Sequence, residues 1–172
     1  LPARAGAVLA GSLLVALCAQ IEVRLPFTPV PVTGQTFAVV LVGMALGARA
    51  GALSLLLYLA EGAAGLPVFS GGGAGAAHLC GPTGGYLLGF VASAASAGHL
   101  CERGWDRRPA TTLAAMLLSS LWVFGFGWLG LLRFVPDPGV AFAQGVLPFL
   151  PGDLLKCALA AALLPAAARR LP

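Results

Sequence analysis

The chain has 172 residues, of which 59% are hydrophobic and only 9% are Asp, Glu, Lys or Arg, and its mean hydropathy is +0.93. A soluble domain has about half apolar and about a quarter charged residues, so this composition excludes an ordinary soluble protein and indicates an integral membrane protein. The net charge of +4 does not indicate a nucleic-acid-binding protein, because the basic residues are scattered in short stretches and form no face interleaved with aromatic side chains.

The apolar segments predict an all-α membrane protein, a compact bundle of six transmembrane helices. A span needs about 20 mostly apolar residues, or fewer when it is short or tilted. The spans are predicted over residues 5–24, 34–48, 50–64, 83–101, 111–133 and 147–168. A tight turn at Arg49 is expected between the second and third spans. The whole chain, 1–172, is then one membrane domain.

The distribution of arginines predicts the orientation in the membrane. Lys and Arg are enriched in cytoplasmic loops. With both termini in the cytoplasm, the outer side keeps Arg24 and Arg133, and the arginines on the cytoplasmic side are Arg4, Arg49, Arg103, Arg107, Arg108, Arg169 and Arg170. We therefore expect a multi-pass protein of the cell membrane, with loops 25–33 and 66–82 on its outer face.

The two outer loops are nearly free of charge and rich in proline and glycine. Loop 25–33 contains three prolines, which cannot continue a helix. Loop 66–82 carries several apolar residues among its glycines, so it either folds back over the bundle as a lid or remains a flexible connector.

Asp153 and Lys156 lie within the apolar run of the sixth span. Ionisable groups at this depth cost several kcal/mol unless they are paired or face a cavity. At three residues apart, the two side chains share one helix face. They are either a mutually neutralised ion pair that packs the bundle or the polar part of a ligand site. A ligand that displays hydrogen-bond donors beside an acceptor, such as a cyclic urea, suits the second interpretation.

No pattern in the sequence indicates catalysis, a metal or a cofactor. The four cysteines are dispersed without metal-ligand spacing. The glycine-rich segment before Tyr86 lacks the lysine of an ATP-binding loop, and no GxSxG occurs. An intramembrane hydrolase using Ser70 or Ser119 with a histidine is therefore only a distant alternative.

Four ordered stretches resemble the BioY family, the biotin-specific substrate-capture subunits (S components) of energy-coupling factor (ECF) transporters. They are TPVPVTGQTFAVVLVGMALG (28–47), GLPVFSGGG (65–73), GPTGGYLLGF (81–90) and LPFLPGDLLK (147–156). The resemblance implies capture of biotin from the outer side. It also implies a membrane-embedded coupling protein and a pair of cytoplasmic ATPases, or function alone or by self-association. An S component or stand-alone permease for a different small vitamin is the alternative.

The resemblance assigns the central ligand contacts to the sixth span. Asp153 is expected to accept from the ureido N–H groups, and Lys156 to donate to the ureido oxygen. Alternatively, Lys156 reaches the carboxylate of the valerate chain.

Further substrate-binding residues are expected at the outer ends of the spans. The backbone N–H groups of Gly84 and Gly85 would approach the ligand at a helix N-terminus. Tyr86 offers a ring and a hydroxyl, or is an interfacial anchor. Gln35 is either a ligand contact or an interhelical hydrogen-bonding group. Two residues of loop 66–82, Phe69 and Gly73, are expected over the thiophane ring.

Small residues on the first span are the expected contact with the coupling partner. Ser12 and Ala16 have the four-residue spacing that allows close helix approach. The resemblance places partner contacts of such subunits on this helix.

Overall fold

Helices make up most of the chain in the computed structural model, which describes residues 2–168. The helices are α1 Pro2–Ala19, α2 Gln35–Ala63, α3 Ala76–Leu79, α4 Gly84–Glu102, α5 Pro109–Leu131, α6 Pro138–Gly145 and α7 Leu150–Ala168. Two short strands, β1 (Glu22–Val23) and β2 (Val32–Thr33), pair in antiparallel fashion. Single 3-10 turns lie at Ser70–Gly72 and Trp105–Arg107. The predicted mainly helical architecture is confirmed.

Helix α2 is a hairpin of two helical halves, 35–46 and 48–63. Gly47 interrupts it with φ 82° and ψ 172°, a conformation that favours glycine. A Cβ built on Gly51 would lie 2.8 Å from the Cα of Gly43, so the halves run side by side. The reversal occurs at Gly47 and not at Arg49. The carboxylate of Glu102 stabilises the reversal, because Oε1 accepts a hydrogen bond from the backbone N–H of Ala48 at 2.9 Å.

Helix α4 packs between α2 and α5 through glycine contacts. A Cβ at Gly43 would overlap the carbonyl oxygen of Ala94, and one at Gly98 would overlap the backbone at Ala48. On the other side of α4, a Cβ at Gly89 would lie 2.8 Å from the carbonyl oxygen of Trp122. Small residues let helix backbones approach this closely, which is the usual means of helix association in membranes.

Among residues 2–168, α2 and α5 are long and apolar enough to cross a membrane by length and composition. For α2 this counts all 29 residues together, and the reversal at Gly47 divides them into two shorter apolar halves. Large apolar side chains point outward along several helices, including Leu17, Leu121 and Leu155, each more than half exposed. Exposed leucines in such numbers suit a surface that contacts lipid.

Two helix boundaries and one additional helix differ from the sequence prediction. Helix α1 ends at Ala19 and not at residue 24, because the chain turns at Gln20 and enters strand β1. Helix α7 begins at Leu150 and not at residue 147. The connection before it contains α6, which was not predicted. The sequence carries the signal for α6, since Asp137 accepts a hydrogen bond from the N–H of Val140 at 2.9 Å and Pro138 occupies the first turn.

Candidate functional site

One cavity contains the two ionisable residues that the sequence singles out, Asp153 and Lys156. It encloses about 620 Å³, counting the open space at its mouth. Its walls come from segment 30–36, loop 66–82 and helices α4, α5 and α7.

Asp153 lies in the first turn of α7 and lines this cavity. The residue is only 6% exposed. The N-terminal end of a helix carries partial positive charge, which favours a carboxylate there. The thiol of Cys157, one turn later, lies 4.0 Å from Oδ2. The carboxylate is therefore held at a fixed place in the wall, where it can accept hydrogen bonds from a ligand.

Lys156 is half-buried, and its ammonium Nζ donates to the carbonyl oxygen of Thr33 at 3.0 Å. This contact joins α7 to strand β2. Within residues 2–168 the only ion pair joins Arg24 and Glu22, so Asp153 and Lys156 do not neutralise each other. Both line the same cavity, and the ion-pair interpretation does not describe this arrangement.

Gln35 lines the cavity and also makes an intramolecular hydrogen bond. Its Nε2 donates to the hydroxyl of Tyr58 at 2.7 Å, and Tyr58 in turn donates to the carbonyl oxygen of Val68 at 3.1 Å. The hydroxyl of Thr33 donates to Gln35 Oε1 at 3.2 Å. Gln35 thus connects the cavity wall to loop 66–82. Tyr58 was not predicted, because nothing in its own segment marks it as polar and buried.

Tyr86 forms part of the wall with its ring. It is 6% exposed, and its hydroxyl donates to the carbonyl oxygen of Gly145 at 2.8 Å. The residue therefore lies inside the protein and not at a membrane interface. Its hydroxyl fixes the C-terminal end of α6, which leaves the ring as the surface available to a ligand.

An aromatic wall that the sequence analysis did not identify covers one side of the cavity. It consists of Phe90, Phe124 and Phe149 together with Tyr86. The rings of Phe124 and Phe149 lie 6.5 Å apart, and those of Tyr86 and Phe149 lie 6.3 Å apart. The four-residue spacing of Tyr86 and Phe90 was a signal for a shared face. The sequence does not show that α4, α5 and the turn before α7 converge on this wall.

Loop 66–82 is folded over the bundle. Phe69 is fully buried and meets the ring of Tyr58 edge-on at 5.5 Å. The ring of His78 stacks on Phe69 at 4.9 Å. Burial lowers the pKa of His78 below its ordinary value of 6.5, which favours the neutral imidazole. His78 and Ser70 line the cavity, whereas Phe69 lies behind them.

The predicted glycine contacts lie outside the cavity. Gly84 abuts the carbonyl group of Leu79, and Gly85 packs against α5 near Phe126. A Cβ on Gly73 would lie 2.6 Å from the ring of His78. These glycines, like Phe69, serve close packing between parts of the protein. The cavity is not lined by the residues that were expected to contact the ligand there, namely Gly84, Gly85, Phe69 and Gly73.

The expected partner contacts on α1 lie in the interior. Ser12 is fully buried and its hydroxyl donates to the carboxylate of Glu61, while Ala16 is 9% exposed and packs in the core. The exposed face of α1 presents Leu9, Leu13 and Leu17. A partner that contacts this face of α1 would therefore meet leucines. The small residues instead bring α1 close to α2.

The chain is similar to known proteins in both sequence and fold. The sequence profile of the BioY family matches residues 3–172. The chain is 43% identical to the "Probable biotin transporter BioY" of Pyrococcus horikoshii over 147 residues, covering 86% of this chain and 85% of the relative. It is 37% identical to the "Biotin transporter BioY" of Rhizobium etli over 164 residues, covering 88% and 85%. Its fold matches a crystal structure described as the S-component for biotin from an ECF-type ABC transporter, with a TM-score of 0.87 at 23% identity over 98% of this chain and 92% of that one.

Proposed function

The chain belongs to the BioY family, and we propose that it captures biotin in the cavity beside Asp153 and Lys156 and is the substrate-binding subunit of an ECF-type uptake system. The names of the relatives support transport of biotin. The relatives are named as transporters and not as enzymes. The chain is a membrane protein.

The observation that carries the proposal is an acid and a base in the wall of one cavity that form no ion pair within residues 2–168. The ureido ring of biotin displays two N–H donors beside a carbonyl acceptor. Asp153 accepts from the N–H groups and Lys156 donates to the ureido oxygen, each by a charge-assisted hydrogen bond. In the alternative orientation, Lys156 binds the valerate carboxylate. The aromatic wall of Tyr86, Phe90, Phe124 and Phe149 covers the apolar thiophane ring in either case.

In the membrane, α1, the two halves of α2, α4, α5 and α7 are the proposed spans, with both termini in the cytoplasm. The support is the distribution of charge. Arg4 and Arg49 line one groove near the N-terminus of α1, and the end of α4 and the start of α5 add Arg103, Arg107 and Arg108. The cavity opens at the opposite end of the bundle, which is then the outer side.

Energy for uptake must come from partners. The sequence holds no phosphate-binding loop with its lysine. A transmembrane coupling protein and a pair of cytoplasmic ATPases supply this energy in the arrangement we propose. Self-association is the alternative assembly.

Isothermal titration of the detergent-solubilised protein tests the proposal. Biotin is expected to bind with a dissociation constant of about a micromolar or tighter, and lipoate, which has an apolar ring and a valerate chain but no urea, is expected to bind poorly. A protein that binds lipoate as well as biotin would be an S component or permease for another vitamin. No detectable binding of biotin would refute the assignment.

A further inference from the structure

A second concavity, which we call the vestibule, lies directly outside the biotin cavity. Its own lining includes Glu22, Arg24 and Thr28. It encloses about 820 Å³, counting its mouth. The rim between the two spaces is formed by residues that line both, namely Pro31, Ser70, His78 and Thr83. A ligand anchored at Asp153 can therefore extend across this rim into the vestibule.

The vestibule carries an acid and a base side by side. Arg24 Nε donates to Glu22 Oε1 at 2.8 Å, and the Arg24 side chain is 75% exposed. The other oxygen of this carboxylate, Glu22 Oε2, is buried, and no hydrogen-bond donor within residues 2–168 reaches it. A buried acceptor without a partner is costly. Glu22 lines the vestibule, so a small rotation of its side chain would bring this oxygen to a donor of a bound ligand and remove that cost.

The turn Ser70–Gly72 of loop 66–82 holds this pair in place. A Cβ on Gly71 would lie 2.7 Å from Arg24 Nη2 and 2.8 Å from Glu22 Oε1. The neighbouring Gly72 donates its backbone N–H to Gln20 Oε1 at 3.1 Å. The acid and the base are thus fixed next to the rim and not free on a disordered surface.

We propose that the vestibule binds the zwitterionic end of an amino acid attached to biotin, so that the protein also captures Nε-biotinyl-lysine. Glu22 Oε2 accepts from the α-ammonium group, and the exposed guanidinium of Arg24 binds the α-carboxylate. The amide that joins the lysine to the valerate chain crosses the rim, where the hydroxyls of Ser70 and Thr83 provide polar neighbours. This extension of the substrate class rests on the proposed binding of biotin in the inner cavity, in the orientation that places the ureido ring at Asp153 and Lys156 and the valerate chain toward the rim.

Titration of three ligands tests the proposal: biotin, Nε-biotinyl-lysine and biotinyl-pentylamine, which keeps the amide and the ammonium but lacks the α-carboxylate. We expect biotinyl-lysine to bind about tenfold more tightly than biotinyl-pentylamine, the scale of one charge-assisted contact. Glu22→Gln and Arg24→Gln are each expected to weaken the binding of biotinyl-lysine about tenfold. The affinity for biotin should stay within about twofold of that of the unaltered protein, which also shows that the variants fold. Arg133→Gln, an exposed arginine outside the vestibule, is the matched control and should change neither.

The outcomes separate the two proposals. Failure of the unaltered protein to bind biotin would refute the function itself. Normal binding of biotin, together with equal affinities for biotinyl-lysine and biotinyl-pentylamine, would overturn the vestibule site alone. If Arg24→Gln lowers the affinities for biotin and for biotinyl-lysine equally, the vestibule site is also overturned, because Arg24 would then bind the carboxylate of biotin. If Glu22→Gln does not fold, Arg24→Gln and the comparison of the two amides decide the question.

Discussion

Asp153 and Lys156 occupy the wall of a cavity in a segment that is otherwise apolar, and each is satisfied differently. Lys156 has a protein partner in the carbonyl oxygen of Thr33. Asp153 has the N-terminal end of α7, a weak thiol contact from Cys157 and the nearby hydroxyl of Ser120. The carboxylate thus keeps more of its hydrogen-bonding capacity free for a ligand than the ammonium does. We infer that Asp153 contributes more to ligand affinity.

Replacing Asp153 by Asn tests this inference. The amide loses the charge and presents one acceptor oxygen, so the charge-assisted bonds to the ureido N–H groups are weakened. We expect the dissociation constant for biotin to rise about tenfold or more, the scale of one buried charge-assisted hydrogen bond. Isothermal titration measures the change.

The matched control is Asp137→Asn. Asp137 caps α6 through Val140 and does not line the cavity, and Asn is an equally good helix cap. The affinity of the Asp137→Asn variant for biotin should equal that of the unaltered protein. An unchanged affinity in Asp153→Asn would remove this carboxylate from the site.

The elements could be predicted from sequence where an apolar run ends at a clear signal. Helices α4 and α5 begin and end within two residues of the predicted spans 83–101 and 111–133. The reversal in α2 was placed two residues late, because the helix-breaking conformation belongs to Gly47 and the nearby Arg49 only marks the polar surface. Local signals thus fix most helix ends to within a turn.

The roles of individual glycines could not be predicted in this way. Gly84 and Gly85 were expected to approach a ligand, yet they approach Leu79 and α5. A glycine permits any close backbone approach, and only the tertiary packing determines which neighbour is close. The same holds for Ser12, whose partner Glu61 lies far away in sequence. The charged residues of the cavity were predictable because their burial is costly wherever they lie.

The contact between α2 and α4 makes a prediction about element packing. A Cβ added at Gly43 would overlap the carbonyl oxygen of Ala94, and neither backbone can move without displacing its helix. We expect Gly43→Ala to destabilise the protein by about 1–3 kcal/mol, the usual cost of overpacking. The midpoint of thermal unfolding in detergent should fall accordingly.

Gly125→Ala provides the comparison for this experiment. A Cβ at Gly125 has no neighbour within 4 Å, so this substitution should not lower the midpoint. If the two variants unfold at the same temperature as the unaltered protein, the close contact at Gly43 does not exist in solution.

The attachment of loop 66–82 predicts the rate of ligand release. Gln20, just after α1, donates from Nε2 to the carbonyl oxygen of Phe69 at 3.2 Å and accepts from the N–H of Gly72 at 3.1 Å. Removing both bonds in Gln20→Ala should let the loop open more often. Because these bonds are near the surface, the expected effect is modest, with biotin dissociating about threefold to tenfold faster.

Stopped-flow displacement of bound biotin measures this rate. Gln144→Ala on α6, which lies outside the cavity lining, should leave it unchanged. Equal dissociation rates in the two variants would show that ligand release does not require this loop to open.

At the scale of the whole molecule, charge and site lie at opposite ends. Five of the seven arginines in residues 2–168 gather where α1 begins, α2 reverses, α4 ends and α5 begins, and Arg24 and Arg133 are the exceptions. The cavity and the vestibule lie where α1 ends, α4 begins and α7 begins. The positive-inside bias supports the proposed orientation, in which the site faces outward. An uptake protein requires this orientation, since its substrate arrives from outside.

The native cysteines allow this orientation to be measured. Cys80 is exposed at the end of α3, beside the vestibule, whereas Cys101 is half-buried at the opposite end of α4. In variants that keep only one of these thiols, a membrane-impermeant maleimide should label Cys80 in intact cells. Cys101 should be labelled only after the membrane is permeabilised. A cysteine-free variant gives the background. Labelling of Cys101 but not Cys80 in intact cells would place the cavity on the cytoplasmic side, where it could not capture an external vitamin.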